Sequence, residues 1–436
     1  MIMSARTCLL GSILLVAGCS IAESPPSSTD PDAAMADDAS TTPDARFDPA
    51  LASSKQLCKL LSDRNVNDPT PNDVQHEANV LGADLGIPVV ASDKLYLLFG
   101  DTIGFAGIWP GDESHPDSVG YGLDSATAIA ADPSLLCERL RIVSLPPTQS
   151  IGPSVSSSVK ADFAGAAMIA PSGHSLGEYI RNPAGYTGST FPQLPGDFEV
   201  PSGAFSVNGA IYVFYTTVVG PGNIDMKASY LARWAQPGAS GPFGYQILYQ
   251  VDQRFDANGP LHGHFVNVAA EVVGNYLYVF GTGDYRRSKI YAARKPVAQL
   301  EQPGGFEELG EIVGTAGYGE LSVHYYPSIG RWMLLAEELL PSSNRIVAYF
   351  STKPEGPWST PFVVHDMGDA AFRASYCCSS EDNCLGRQMF NCNRTAFYGT
   401  YLFPSLIETA NDITVTYTMS SFSPYNVALF QTTFTK

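Results

Sequence analysis

The chain has 436 residues, 44% of them hydrophobic, enough material for a large buried core. Its formal net charge of -18 argues against nucleic acid, where affinity comes mainly from Lys and Arg neutralising phosphates, and against electrostatic binding to an anionic membrane. A neutral polysaccharide raises no such conflict. The 22 Tyr and 22 Phe suit sugar stacking, although strands are rich in aromatics anyway.

Residues 1–19 read as a lipoprotein signal peptide and are set aside from the fold. Arg6 supplies the positive start, and the run from Cys8 to Gly18 is too short to span a bilayer as a helix. Val16-Ala17-Gly18-Cys19 resembles a bacterial lipobox, in which the Cys19 thiol is lipidated. Ser20 follows, with no Asp retention signal, so the expected destination is the outer membrane if the host is Gram-negative, or secretion if the signal is an ordinary one. Contact with the membrane is expected through this anchor alone. Residues 20–52 are Ser, Thr, Pro, Asp and Ala with hardly a large apolar side chain. Such a stretch cannot bury enough surface to offset its ordering entropy and is expected to be a disordered tether. Residues 53–436 are then expected to form one domain.

Beyond the signal stand Cys58, Cys137, Cys377, Cys378, Cys384 and Cys392. An even number in an exported chain favours disulfides, although six cysteines permit fifteen pairings. Cys58–Cys137 is one candidate, and the other four would staple a long loop. Neither a Cys-x-x-Cys pair nor a nearby His supports zinc, so no metal and no cofactor are expected.

After residue 80 one pattern recurs five times: a short apolar strand, a turn, then a strongly apolar strand. The second strands are centred on Lys94-Leu95-Tyr96-Leu97-Leu98-Phe99, Ala210-Ile211-Tyr212-Val213-Phe214, Tyr276-Leu277-Tyr278-Val279-Phe280, Arg331-Trp332-Met333-Leu334-Leu335 and Asp412-Ile413-Thr414-Val415-Thr416. The turns carry Ser92-Asp93, Asn208-Gly209, Gly274-Asn275, Ile329-Gly330 and Asn411-Asp412, residues that tight hairpins select. Strands apolar on both sides belong to sheets covered on both faces. Repeated antiparallel sheets that cover one another predict an all-β, five-bladed β-propeller with long loop insertions; a β-sandwich or a two-domain β protein is the plainer alternative.

In a propeller the first strand of each blade lines the central channel. The residues at the start of those strands are Asp84, Glu199, Asn267, Glu320 and Tyr401, an acidic funnel whose desolvated carboxylates would be costly without a task. A hairpin turning at Ser92-Asp93 sets Asp84 directly opposite Asp101; a turn at Asp93-Lys94 makes them diagonal neighbours on the same face. Two adjacent carboxylates repel, so one holds its proton and the other does not, the arrangement that glycoside hydrolysis requires. The competing reading is that both aspartates bond backbone amides at turns. Glu199, Ser202 and Gly203 stand at the edge of the second blade as candidate sugar contacts; His262 and His264, at the entrance of the third, could bind sugar hydroxyls or, with the funnel carboxylates, a metal, or serve as structural hydrogen-bonders. Asp284 mirrors Asp101 in the third blade, with a plain turn role as its rival. Of Glu337 and Glu338, neighbours in a strand, at most one faces the channel. Residues 173–177, Gly-His-Ser-Leu-Gly, lack the strand-turn-helix setting of a nucleophile elbow.

Several stretches resemble the DUF4185 family, now glycoside hydrolase family 183. They are Gly82-Ala83-Asp84-Leu85-Gly86, Leu97-Leu98-Phe99-Gly100-Asp101-Thr102, Gly319-Glu320-Leu321-Ser322-Val323, Tyr398-Gly399-Thr400-Tyr401-Leu402-Phe403-Pro404 and Ser421-Phe422-Ser423-Pro424-Tyr425-Asn426-Val427. They run in the family's order from residue 80 to the end. The resemblance implies a five-bladed propeller that cleaves D-arabinan, the furanose polymer of mycobacterial arabinogalactan and lipoarabinomannan, internally. It also implies that Asp84 and Asp101 are the catalytic carboxylates. Ala83 stands where the family's pattern leads one to expect Thr. The expectation is therefore a monomeric, lipid-anchored endo-D-arabinanase, with Asp84 and Asp101 catalytic and Glu199, Ser202, His264, Asn267, Glu320 and Tyr401 contacting the glycan. The alternatives are a hydrolase of another furanose or pyranose polysaccharide, a non-catalytic glycan-binding propeller and an envelope scaffold facing a protein partner.

Overall fold

The computed structural model describes residues 49–62, 70–72, 74, 80–104, 117–143, 180–181, 198–219, 225–238, 245–341, 343–380 and 383–436. The signal peptide, Cys19, most of the tether and residues 173–177 lie outside them. The described chain is all-β apart from short helices at Ala126–Ala131, Leu135–Arg139 and Ala370–Tyr376 and a 3-10 turn at Val297–Gln299.

In chain order the strands are β1 (Ala50–Ser62), β2 (Val80–Gly82), β3 (Leu85–Ala91), β4 (Lys94–Phe99), β5 (Ile103–Gly104), β6 (Ser118–Gly122) and β7 (Leu140–Ile142). They continue with β8 (Ile180–Arg181), β9 (Phe198–Val207), β10 (Ala210–Val219), β11 (Asp225–Trp234) and β12 (Tyr245–Gln253). Next come β13 (Asn267–Val273), β14 (Tyr276–Thr282), β15 (Ser288–Pro296), β16 (Glu307–Tyr326), β17 (Arg331–Leu339), β18 (Asn344–Ser351) and β19 (Phe362–Asp366). The last are β20 (Tyr398–Glu408), β21 (Asp412–Ser421) and β22 (Asn426–Thr435).

Hydrogen bonds order these as β3-β4-β6-β7, β8-β12-β11-β10-β9, β13 through β19 in sequence, β1-β22-β21-β20, and the small pair β2-β5. The seven-stranded sheet turns on β16: residues from Glu307 to Val313 pair with β15, those from Leu321 to Tyr326 with β17. β1 completes the last sheet by pairing antiparallel with β22. It starts at Ala50, inside the stretch expected as tether.

The strands β3, β9, β13, β16 and β20 touch one another in that order, and β20 touches β3 again. Among the described residues no backbone ladder joins one sheet to the next across these contacts. Side chains do: Ser206 Oγ donates to Val90 O at 2.6 Å, Val268 N donates to Ser202 Oγ at 3.3 Å and Leu402 N to Ser322 Oγ at 2.9 Å. Thr418 Oγ1 and Ser420 Oγ donate to Gly86 O and Leu85 O, each at 2.8 Å. The approach is close enough that a Cβ at Gly203 would collide with Val268 O.

The core is divided into slabs between facing sheets. Ile87, Val89, Tyr96 and Leu98 meet Ile211, Val213 and Trp234 in one. Phe205, Phe214 and Leu231 meet Val268, Leu277 and Val279 in another, and Ala269 and Phe280 meet Leu321, Val323 and Trp332 in a third. A sheet covered on both faces needs apolar residues at successive positions, which is why β10 is buried along nearly its whole length.

The six cysteines among the described residues are paired, as Cys58–Cys137, Cys377–Cys392 and Cys378–Cys384. The first ties β1 to the helix Leu135–Arg139; the other two staple the segment that follows Ala370–Tyr376. Among the described residues no helix is long and apolar enough to cross a membrane.

Candidate active site

The hairpin β3–β4 turns at Ser92-Asp93, both with positive φ (50° and 57°), and its partners keep one register from Ala91↔Lys94 to Ile87↔Leu98. There the ladder slips: Leu85 pairs with Phe99, leaving an extra residue at Gly86. The slip corrects the expected facing of Asp84 and Asp101. Gly100 N donates to Asp84 O at 3.1 Å, so Gly100 stands opposite Asp84. The cause is local: Gly86 takes φ 94° and Leu85 φ 63°, a bulge geometry that adds a residue to one strand. Positive φ is costly for a side chain such as Leu, and the two inter-sheet bonds from Thr418 and Ser420 hold the bulge in place. Gly100 has its own constraint, because a Cβ there would strike Asp84 Oδ1.

Both aspartates are buried. Asp84 Oδ2 accepts from Tyr398 OH at 2.8 Å, and Asp101 Oδ2 accepts from Tyr425 OH at 2.9 Å. Asp84 Oδ1 is enclosed without a hydrogen-bond partner. Burial raises the Asp84 carboxyl well above the usual carboxylate range, and the charge of Asp101, followed by that of Glu320, adds to the rise; the Tyr398 hydroxyl opposes it. Tyr425 is set by its neighbour Asn426, whose Nδ2 donates to Met389 O at 2.7 Å and Pro424 O at 3.3 Å.

A second pair of carboxylates lies in the same electrostatic cluster. Glu320 and Glu337 are buried, and Arg286 reaches both, at 3.2 Å to Glu320 Oε2 and 3.3 Å to Glu337 Oε2. Tyr285 OH donates to Glu320 Oε1 at 3.4 Å, and Asn344 Nδ2 to Glu337 Oε1 at 3.0 Å. Burial lifts Glu337 to about 8, with Arg286 opposing and Glu320 contributing. The Arg286 guanidinium lies 4.8 Å from the Tyr285 ring centre and 5.4 Å from that of Tyr398. Burial and the neighbouring carboxylates raise the phenols of Tyr285, Tyr398 and Tyr401, so these hydroxyls remain donors.

Of the residues expected at the site, Asp84, Asp101, Glu320 and Tyr401 are brought into this cluster. Tyr401 OH is buried and has no partner. Asn267 opens β13 opposite Thr282 with its buried Nδ2 unpartnered. Glu199 pairs with Thr217, and burial alone raises its carboxyl to about 7 although part of the residue reaches solvent. Ser202 is occupied structurally, donating to Phe214 O at 3.2 Å and accepting from Val268 N. His264 is drawn elsewhere, to Glu308 Oε1 at 3.0 Å, with its ring stacked on Tyr291 at 3.7 Å. Asp284 binds Arg254 at 2.6 Å, which also pairs with Asp225. Glu338 turns to Tyr318 OH at 3.5 Å, so Glu337 alone of that pair meets Arg286.

Tyr285 and Arg286 were invisible in the sequence pattern. They sit in the turn after β14, Arg286 with φ 58°, and the short run Gly283-Asp284-Tyr285-Arg286 is their only local signal. Tyr398 and Tyr425 lie in recognisable stretches, but nothing in the spacing assigns them to Asp84 and Asp101.

Two spaces border this cluster. Pro88, Gly203, Ala269, Ser322 and Tyr401 surround a void of about 20 Å³ between the five contacting strands, and His324 closes it by bonding Glu271 Oε2 at 2.6 Å and Leu402 O at 3.0 Å. The second is a cleft of about 500 Å³ whose lining includes Arg286, Tyr398, Arg373, Thr395 and Phe422. Arg286 and Tyr398 therefore belong to the cleft and to the carboxylate cluster. Among the described residues no group of three His, Cys, Asp or Glu is arranged to hold a metal ion.

No curated protein matches the sequence. Among solved structures, the chain is similar to one from Bacteroides ovatus described provisionally as a hydrolase, at 10% identity over 82% of this chain and 87% of that one, with a TM-score of 0.47. An α-L-arabinofuranosidase of Podospora anserina shows 11% identity over 87% and 95%, TM-score 0.41. An exo-1,5-α-L-arabinanase from a bovine ruminal metagenomic library shows 10% identity over 82% and 94%, TM-score 0.40. The sequence matches a family model over residues 177–431, a range that begins after Asp101 and contains Arg286, Glu320, Glu337 and Tyr398. That model describes a domain of unknown function, DUF4185, and with more than half its length matched the chain belongs to this family.

Proposed function

We propose that the protein is a glycoside hydrolase, a five-bladed propeller that cleaves D-arabinan internally, with Asp84 as proton donor and Asp101 as its basic or nucleophilic partner. The observation that carries the reading is the Asp84 carboxyl, buried against the charge of Asp101 and raised well above the usual range. A carboxylic acid that keeps its proton near neutral pH beside a second carboxylate is the requirement for glycosidic cleavage. The Asp84 carboxyl, held at Oδ2 by the Tyr398 hydroxyl, supplies the transferable proton. It passes to the departing glycosidic oxygen as the bond to the anomeric carbon breaks. Asp101 then either attacks that carbon or takes a proton from the water that does. A separation of about 5–5.5 Å between the carboxyl groups goes with retention, and about 6.5–9.5 Å with inversion. Glu320 and the Tyr401 hydroxyl are suited to bonding sugar hydroxyls.

The circuit of contacts through β3, β9, β13, β16 and β20, with core slabs between successive sheets, supports the blade count. The resemblance of the aspartate-bearing stretches to family 183 supports D-arabinan as substrate. Six paired cysteines fit an oxidising compartment, in keeping with export through the signal and with anchoring at Cys19. The test is incubation with mycobacterial arabinogalactan followed by analysis of what is released. Short arabinose oligomers are expected. Monosaccharide alone would replace endo with exo action, and binding without new reducing ends would leave a lectin.

A further inference from the structure

The cleft beside the carboxylate cluster runs against the charge of the chain. The protein carries 43 Asp and Glu against 25 Lys and Arg, yet the charged residues lining this cleft are Arg286, Arg373 and Arg394, with no carboxylate among them. Arg286 is committed to Glu320 and Glu337. Arg373 is not so committed: its guanidinium donates to Asn393 Oδ1 at 2.9 Å, and among the described residues it meets no carboxylate. A guanidinium offers five donors in a fixed fork that matches carboxylate or phosphate oxygens. One donor to a neutral amide positions the fork and leaves the rest for a ligand. Thr395 Oγ1, also in the lining, is buried without a partner.

The lining also supplies an apolar face. Phe422 is 41% exposed, unusual for a large ring in this fold, and meets Tyr398 edge-on at 6.1 Å and 62°. Tyr398 is the donor to Asp84, so a sugar ring on Phe422 would lie next to the scissile position. Arg373 stands on the helix Ala370–Tyr376, and its partner Asn393 follows directly on Cys392, which the Cys377–Cys392 bridge ties to the end of that helix.

We infer that this cleft is a subsite for a sugar unit bearing an anionic substituent, a carboxylate or a phosphate ester, which Arg373 binds while the ring rests on Phe422. The inference rests on the glycosidase reading and adds to it a preference for glycan units that carry such a substituent. Charge-assisted, two-pronged bonds of this kind are among the strong ones.

The test uses arabino-oligosaccharides in three forms: uncharged, with the terminal primary hydroxyl oxidised to a carboxylate, and with that hydroxyl phosphorylated. Calorimetric affinity and kcat/KM are measured for the wild type, R373Q and R373K. The wild type should favour a charged form by about tenfold, R373Q should erase that preference, and R373K should keep part of it, since the charge survives without the fork. Whichever charged form is favoured identifies the substituent. No preference in the wild type, or an unchanged preference in R373Q, would overturn the subsite. Binding preference that persists with no cleavage of any form would instead sink the hydrolase reading and leave the subsite standing.

Discussion

The hairpins β3–β4 and β13–β14 end alike, one in Gly100-Asp101 and the other in Gly283-Asp284, yet the two aspartates have different fates. Asp101 is buried and accepts from Tyr425, in the turn that joins β21 to β22 of the neighbouring sheet. The Asp284 side chain is 26% exposed and pairs with Arg254. The ladder of β13–β14 is unbroken from Val273↔Tyr276 to Asn267↔Thr282, whereas β3–β4 slips at Gly86 and carries Asp84 inward. The residue type at a strand end is therefore a weak guide to its role. The bulge beside it and the side chains that the next sheet delivers decide whether a carboxylate is desolvated or solvated.

Removing charge from the two hairpins separates these fates most sharply. Asp84→Asn or Asp101→Asn should lower the rate of glycan hydrolysis by about 10²–10⁴, the usual contribution of a positioned acid or base, with thermal unfolding little changed. Reducing-end assays on folded variants measure this. A smaller effect is expected from Tyr398→Phe. The Tyr398 hydroxyl lowers the Asp84 pKa, so its loss raises that pKa further. An acid works while protonated and activity falls as pH rises through its pKa, so the alkaline limb of the kcat/KM profile should move to higher pH. The rate near neutrality should drop by about tenfold, the worth of one hydrogen bond to a charged group. Asp284→Asn should do least: hydrolysis within about twofold, and a stability loss of at most about 1 kcal/mol for a partly exposed ion pair, read from the midpoint of thermal unfolding.

The sequence exposes one of these hairpins better than its surroundings. Alternation and turn residues place Asp84 and Asp101 at the end of one hairpin, because the period of a strand is local and Ser92-Asp93 sets the register. The slip at Gly86 is not legible, since it depends on Thr418 and Ser420 bonding across from another sheet some 330 residues later in the chain. Arg286 escapes for a related reason: it leaves a turn with positive φ to meet Glu320 and Glu337 on other strands, and no periodicity describes such a reach. His264 shows a related case. Its place before β13 suggests an entrance, but Glu308 and Tyr291 claim the ring. Pairing of β1 with β22 joins the two ends of the described chain, and a composition-based tether boundary cannot foresee a strand that begins at Ala50.

The account stands on the protonation of Asp84 beside Asp101. Carbon-13 labelling of the aspartate carboxyls, with Asp84 assigned by its disappearance in Asp84→Asn, would follow its titration directly by NMR. A midpoint well above the ordinary carboxylate range is predicted for the wild type, shifting downward when Asp101→Asn removes the neighbouring charge. An Asp84 resonance that titrates at about 4 in both proteins, the value of an unperturbed aspartate, would contradict it.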